Sequence, residues 1–128
     1  MDHSAKAKEI LESGFEQADN VLEDEEGLFA LLAASKSKIN ELGSDGAALD
    51  KAKVFAAMLE DYSIGAYVQE SKESLVAITS ALMYLVDPFD AIPDIVPIVG
   101  LNDDKAVIEQ AYAIASAEVD AYWAWKQE

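Results

Sequence analysis

SKESLVAITSALMYLV, residues 71–86, decides the fold. Wound as a helix it has no polar face: Leu75, Val76, Ile78, Leu82, Met83, Leu85 and Val86 cover most of its circumference. A helix apolar nearly all round has to be surrounded by other elements, which predicts an all-α bundle with this helix in the middle. Its charge-free run, 74–86, falls short of the roughly 20 residues that a bilayer span requires, so it reads as a buried helix and no transmembrane span is expected.

The flanking sequence supplies the neighbours. Towards the N-terminus, Ile10, Leu11, Phe15, Ala18 and Leu22 recur at helical intervals and predict one helix over 4–22, with Ser4 as N-cap and Gly14 as a mild weakness. A second helix is expected over 25–42, with Leu28, Leu31, Leu32, Ser35, Ile39 and Leu42 as its buried stripe. It starts inside the acid run Glu23-Asp24-Glu25-Glu26, where carboxylates are favoured by the helix dipole. Gly43-Ser44-Asp45-Gly46 is a turn by composition. A third helix over 47–62 would bury Leu49, Ala52, Phe55, Ala56, Leu59 and Tyr62, and Ser63-Ile64-Gly65 ends it. Towards the C-terminus, Ile108, Ala111, Tyr112, Ala115, Val119 and Tyr122 share one face of a helix over 103–125, with Asn102 as the expected N-cap. No segment alternates in the manner of a strand. The expectation is a single domain over 1–128, a compact bundle of about five helices with an apolar, Pro-rich loop between the last two.

Composition narrows the function. The chain of 128 residues is long enough to bury roughly two thirds of its unfolded surface, and 52% of its residues are hydrophobic, which argues against disorder. There are 25 acids against nine bases, all nine of them lysine, for a net charge of −16. A nucleic-acid backbone is repelled by such a chain, so no DNA or RNA partner is expected. The same field favours a basic protein partner or divalent cations. With no cysteine, thiolate chemistry and zinc-thiolate sites are absent. The N-terminal residues 1–9 are polar and carry no secretory signal pattern, so a cytoplasmic location is expected.

All three prolines lie in one connection, Asp87-Pro88-Phe89-Asp90-Ala91-Ile92-Pro93-Asp94-Ile95-Val96-Pro97-Ile98-Val99-Gly100-Leu101-Asn102-Asp103-Asp104. Its apolar residues are too many to leave in water, so the loop is expected to pack back on the bundle, and the prolines lower the entropy lost in ordering it. The positions Tyr84, Leu85, Pro88, Asp90, Ile92, Pro93, Asp94, Pro97, Gly100, Asp103 and Asp104 resemble the signature of the YkvA-like family (domain of unknown function 1232), found in bacteria and plants. The resemblance covers approximately residues 71–111. Asp87 stands where the family usually has Ser, and Ala91 where it usually has a larger apolar residue. Many relatives look membrane-associated, and the resemblance implies no established catalytic residue.

Asp90, Asp94, Asp103 and Asp104 sit in or beside this apolar loop, where a carboxylate needs a partner. One reading makes them turn caps, each charged hydrogen bond to backbone N–H contributing about 1.5–3 kcal/mol. The other makes them hard oxygen ligands for Mg²⁺ or Ca²⁺, although their spacing matches no established loop. Catalytic readings are weaker: the lone His3 lies in the N-terminal tail, Gly65 and Gly100 are isolated, and only a paired-carboxylate hydrolase is permitted by residue type. Tyr122, Trp123 and Trp125 form a C-terminal aromatic cluster that one helix face cannot bury whole, and are candidate partner-binding residues.

These readings favour a non-catalytic protein-interaction or regulatory module that engages a basic protein or self-associates, with no cofactor. The alternative is a divalent-cation-binding domain, and behind it a metal-dependent hydrolase on the same four aspartates.

Overall fold

Helix α5 (Lys72–Val86) is buried at every position from Ser74 to Leu85 except the half-buried Val76. The computed structural model describes residues 3–42, 46–68, 71–86 and 101–127, apart from the side chains of 3–6 and 101–104. In chain order the other described helices are α1 (His3–Ser13), α2 (Phe15–Leu22), α3 (Glu25–Leu42), α4 (Ala47–Ser63) and α6 (Leu101–Gln127). All five pack against α5, and α6 does so most extensively. The fold is all-α, and the helix expected at its centre is there. Ser71 caps it: the Ser74 N–H donates to Ser71 Oγ at 3.3 Å, satisfying one of the otherwise orphaned amides of the first turn.

The buried hydroxyls of α5 are part of the packing. Thr79 Oγ1 donates back to the Leu75 carbonyl at 2.7 Å, and Ser80 Oγ donates to the Leu11 carbonyl on α1, also at 2.7 Å. This second bond explains a departure from expectation. The single helix predicted over 4–22 is two helices, α1 and α2, broken at Gly14. Ser80 takes the Leu11 carbonyl at the end of α1, while the Gly14 N–H donates to the same oxygen at 3.2 Å in a tighter turn. A Cβ at position 14 would lie 2.5 Å from Ser80 Oγ, so any larger residue there would have to push the Ser80 hydroxyl off the Leu11 carbonyl.

Helix α3 starts and buries its stripe as expected, with Leu28, Leu31, Leu32, Ser35 and Ile39 inside and Leu42 half-buried. Helix α4 buries Leu49, Ala52, Phe55, Ala56 and Leu59, and adds Met58 and Asp61. It ends in a Schellman motif: the Ala66 N–H reaches back to the Asp61 carbonyl at 2.9 Å and the Gly65 N–H to the Tyr62 carbonyl at 3.1 Å. Gly65, at φ +77°, occupies the left-handed position that this cap needs. Helix α6, 27 residues and therefore about 40 Å long, lies along α5, α1 and α4. Asn102, expected as its N-cap, is already within the helix, since helical backbone is present at Leu101, and Ser4, expected as the N-cap of the first helix, likewise lies inside α1, which starts at His3.

Candidate functional site

Three regions bear on function. The loop aspartates come first because the sequence singled them out. Asp90 and Asp94 lie outside the described residues, and Asp103 and Asp104 are placed only as backbone in the first turn of α6. Among the described residues no group of three or more acidic or histidine side chains is arranged to hold a metal ion.

The second region joins the C-terminal ends of α4 and α6. Asp61 follows Met58 by one helical turn on the buried side of α4, and it is 7% exposed. Its Oδ2 accepts from the Tyr122 hydroxyl at 2.5 Å and from Lys126 Nζ at 2.8 Å. Lys126, then Tyr122, hold the Asp61 carboxyl below its usual range. Tyr122 is pushed the other way, by burial first and then by the Asp61 carboxylate beside it. The Schellman turn carries Tyr67 back over this pair. Its ring stands edge-on to Tyr122 at 5.0 Å between centroids and 5.0 Å from Trp125, and Trp125 lies 5.8 Å from Tyr122. The Asp61 carboxylate, the Lys126 ammonium and three mutually packed rings, one of them carrying the Tyr122 hydroxyl, therefore latch the two helix ends together. Sequence reasoning did not single out Asp61, Tyr67 or Lys126. A signal existed in Asp61, a carboxylate on an apolar stripe, but nothing local named its cation.

The third region is a groove of about 710 Å³ between α4 and α6. Val54 and Ala57 from α4, with Val119 and Ala124 from α6, line it with apolar surface, and Tyr112 and Trp123 add aromatic rings. Its charged lining is Asp50, Lys51, Lys53 and Asp120. One edge is held in place: Lys51 pairs with Glu109 at 2.7 Å and sits 4.9 Å from the centroid of the Tyr112 ring, and the Tyr112 hydroxyl donates to Asp120 at 2.8 Å. The Asp120 carboxylate, then burial, raises the Tyr112 phenol. A second groove of about 660 Å³ lies between α3 and α4, lined in part by Ile39 and Ala56 and by the ion-paired Lys36 and Glu60. The two grooves share Lys53 and Ala57.

The candidate aromatic cluster is thereby divided. Tyr122 is fully buried in the latch, Trp125 packs on it while 40% exposed, and Trp123, 49% exposed, lines the groove. Three further large apolar side chains are exposed: Phe29 on α3 at 76%, and Ile64 and Val68 beyond the end of α4 at 71% and 79%.

Among the described residues no helix is long and apolar enough to cross a membrane. The family described as protein of unknown function (DUF1232) matches residues 74–109, a span that includes most of α5 and the first third of α6. The uncharacterized membrane protein YkvA of Bacillus subtilis (strain 168) is 33% identical over 72 residues, which cover 56% of this chain and 68% of that protein. No solved structure matches the chain. With that much of the relative's length aligned at that identity, and with the proline and aspartate pattern from Tyr84 to Asp104 falling within the matched region, the chain belongs to the YkvA-like family.

Proposed function

We propose that this domain is a non-catalytic protein-interaction module whose acidic surface recognises a basic segment of a partner protein. The observation that carries the reading is Phe29. At 76% exposure it leaves unrealised the roughly 1.5–3 kcal/mol that burying such a side chain contributes. It lies one turn beyond Glu25 and Glu26 on α3, and all of Glu23, Asp24, Glu25 and Glu26 are exposed. Ala30 and Ala33 continue the exposed strip. An aromatic anchor flanked by carboxylates suits an amphipathic cationic helix: an apolar side chain meets Phe29 while Lys or Arg meets the acid run, and the net charge of −16 steers the encounter. Nothing in this role needs a cofactor. We place the domain on the cytoplasmic side, where a basic partner that is itself membrane-bound is compatible with the name of the Bacillus relative.

The test is amide NMR of the full chain titrated with a defined cationic amphipathic helical peptide, at low and at high salt. Shifts should centre on residues 23–33, weaken as salt rises, and vanish in Phe29→Ser while an unrelated surface change, Ala117→Ser, leaves them intact. Shifts spread evenly over the acidic surface, or equal in Phe29→Ser, reject the reading.

A further inference from the structure

We propose that the groove between α4 and α6 seats a second copy of this chain, in a two-fold symmetric dimer that places Trp123 of each protomer against the groove of the other. The groove shares no lining side chain with the Phe29 strip, so this inference and the proposed function can fail independently.

Charge selects the occupant. Over the whole chain acids outnumber bases 25 to nine. The charged side chains lining the groove are two acids, Asp50 and Asp120, and two lysines, Lys51 and Lys53. The four charged side chains that line the groove therefore sum to zero, in a chain of −16. Two such chains repel at most orientations, and a nearly neutral face is where they can approach with least cost. The lining carries both signs, so a two-fold axis need not set like charges against each other in an isologous contact. A basic segment is better served by the acid run on α3 than by a groove carrying Lys51 and Lys53, and a strongly acidic partner is repelled by the chain as a whole.

Shape and chemistry agree with this occupant. The apolar residues Val54, Ala57, Val119 and Ala124, with Trp123 half in solvent, have the composition of an interface core. The groove does not stop at α4. Through Lys53 and Ala57 it adjoins the α3/α4 groove, where Lys36 is already neutralised by Glu60. The apolar surface therefore extends across α4 beyond a single pocket.

The experiment is analytical ultracentrifugation of the full chain over a range of concentrations and salt, with Trp123→Glu, Ala124→Glu and Phe29→Ser alongside. Ala124 is exposed in the described chain, so Ala124→Glu keeps the test alive if Trp123→Glu disturbs folding by circular dichroism. Wild type should move from monomer to dimer with concentration, and the dimer should tighten as salt screens the mutual repulsion. Each groove variant should raise the dimer Kd at least about thirtyfold, the scale of losing a hot-spot side chain, while Phe29→Ser dimerises as wild type. A chain that stays monomeric at high salt, a folded groove variant that dimerises as wild type, or an association that weakens with salt each overturns the proposal. The last outcome would show a charge-driven contact elsewhere on the chain.

Discussion

Tyr122 and Trp123 are consecutive residues near the end of α6, yet one belongs to the latch and the other to the groove. Tyr122 is fully buried, with its hydroxyl on Asp61. Trp123, about 100° further round the helix, leaves the latch and stands at the groove wall, half in water. Trp125, three residues after Tyr122, returns to the latch face and packs on Tyr67 and Tyr122. An aromatic cluster in sequence is thus two functional classes in space. The latch uses its rings to cover a carboxylate, so its chemistry is internal. The groove leaves its ring uncovered, so its chemistry is available to a partner.

Removing the carboxylate should separate the regions most sharply. Asp61→Ala leaves the buried Tyr122 hydroxyl without its acceptor, and a loss of about 2–3 kcal/mol is expected in urea unfolding, after discounting for the solvent around the half-exposed Lys126. The same contact has a pH signature. The Asp61 carboxyl is held below its unfolded value, so between the folded and unfolded values the unfolded chain binds more protons. Its contribution to stability is therefore present above the ordinary carboxylate value near 3.9 and is lost as pH falls through the lower, folded one. Tyr122, raised in the folded chain, contributes on the other side: its share is full below the ordinary phenol value near 10 and declines as pH rises beyond it. Urea midpoints measured from acid to alkaline pH should show both limbs, and Asp61→Asn should flatten the acid one. An unchanged acid limb would mean that the latch does not carry the charge pairing described.

A smaller contrast is expected between the two tryptophans. Trp125→Ala should cost about 1 kcal/mol, since it removes a ring stacked on two others. Trp123→Ala should stay within about 0.5 kcal/mol in the monomer, as surface substitutions do. Equal losses would place Trp123 in the structural class and weaken the case for the groove as a docking face. The smallest effect concerns neither region. At matched ionic strength, Mg²⁺ and Ca²⁺ should leave the Tm where a monovalent salt leaves it. A divalent-specific rise that Asp90→Asn or Asp94→Asn abolishes would move the functional site to the loop and revive the cation-binding reading.

The parts of this fold that could be read in advance are those that depend on local repetition. The α3 stripe, the nearly all-apolar girth of α5 and the end of α4 at Gly65 follow from residues within a few positions of one another. One local expectation gave way to packing: Gly14 breaks the helix where Ser80, far along the chain, takes the Leu11 carbonyl. Two expected N-caps, Ser4 and Asn102, lie instead inside helices that start a residue earlier, at His3 and Leu101. Asp61 could be recognised as an odd residue on an apolar stripe, but any of nine lysines could have met it. Its actual cation, Lys126, is 65 residues away.

By itself, then, the sequence determined where α3 to α6 lie, the central place of α5, the strong negative charge and the family pattern, because periodicity, composition and spacing are properties of the chain. Only the tertiary structure decided which carboxylate is buried against which lysine, which tryptophan covers it and which faces a groove. Those outcomes depend on how each helix is rotated against its neighbours, and a rotation of 100° or a partner 65 residues away leaves no mark on the local pattern.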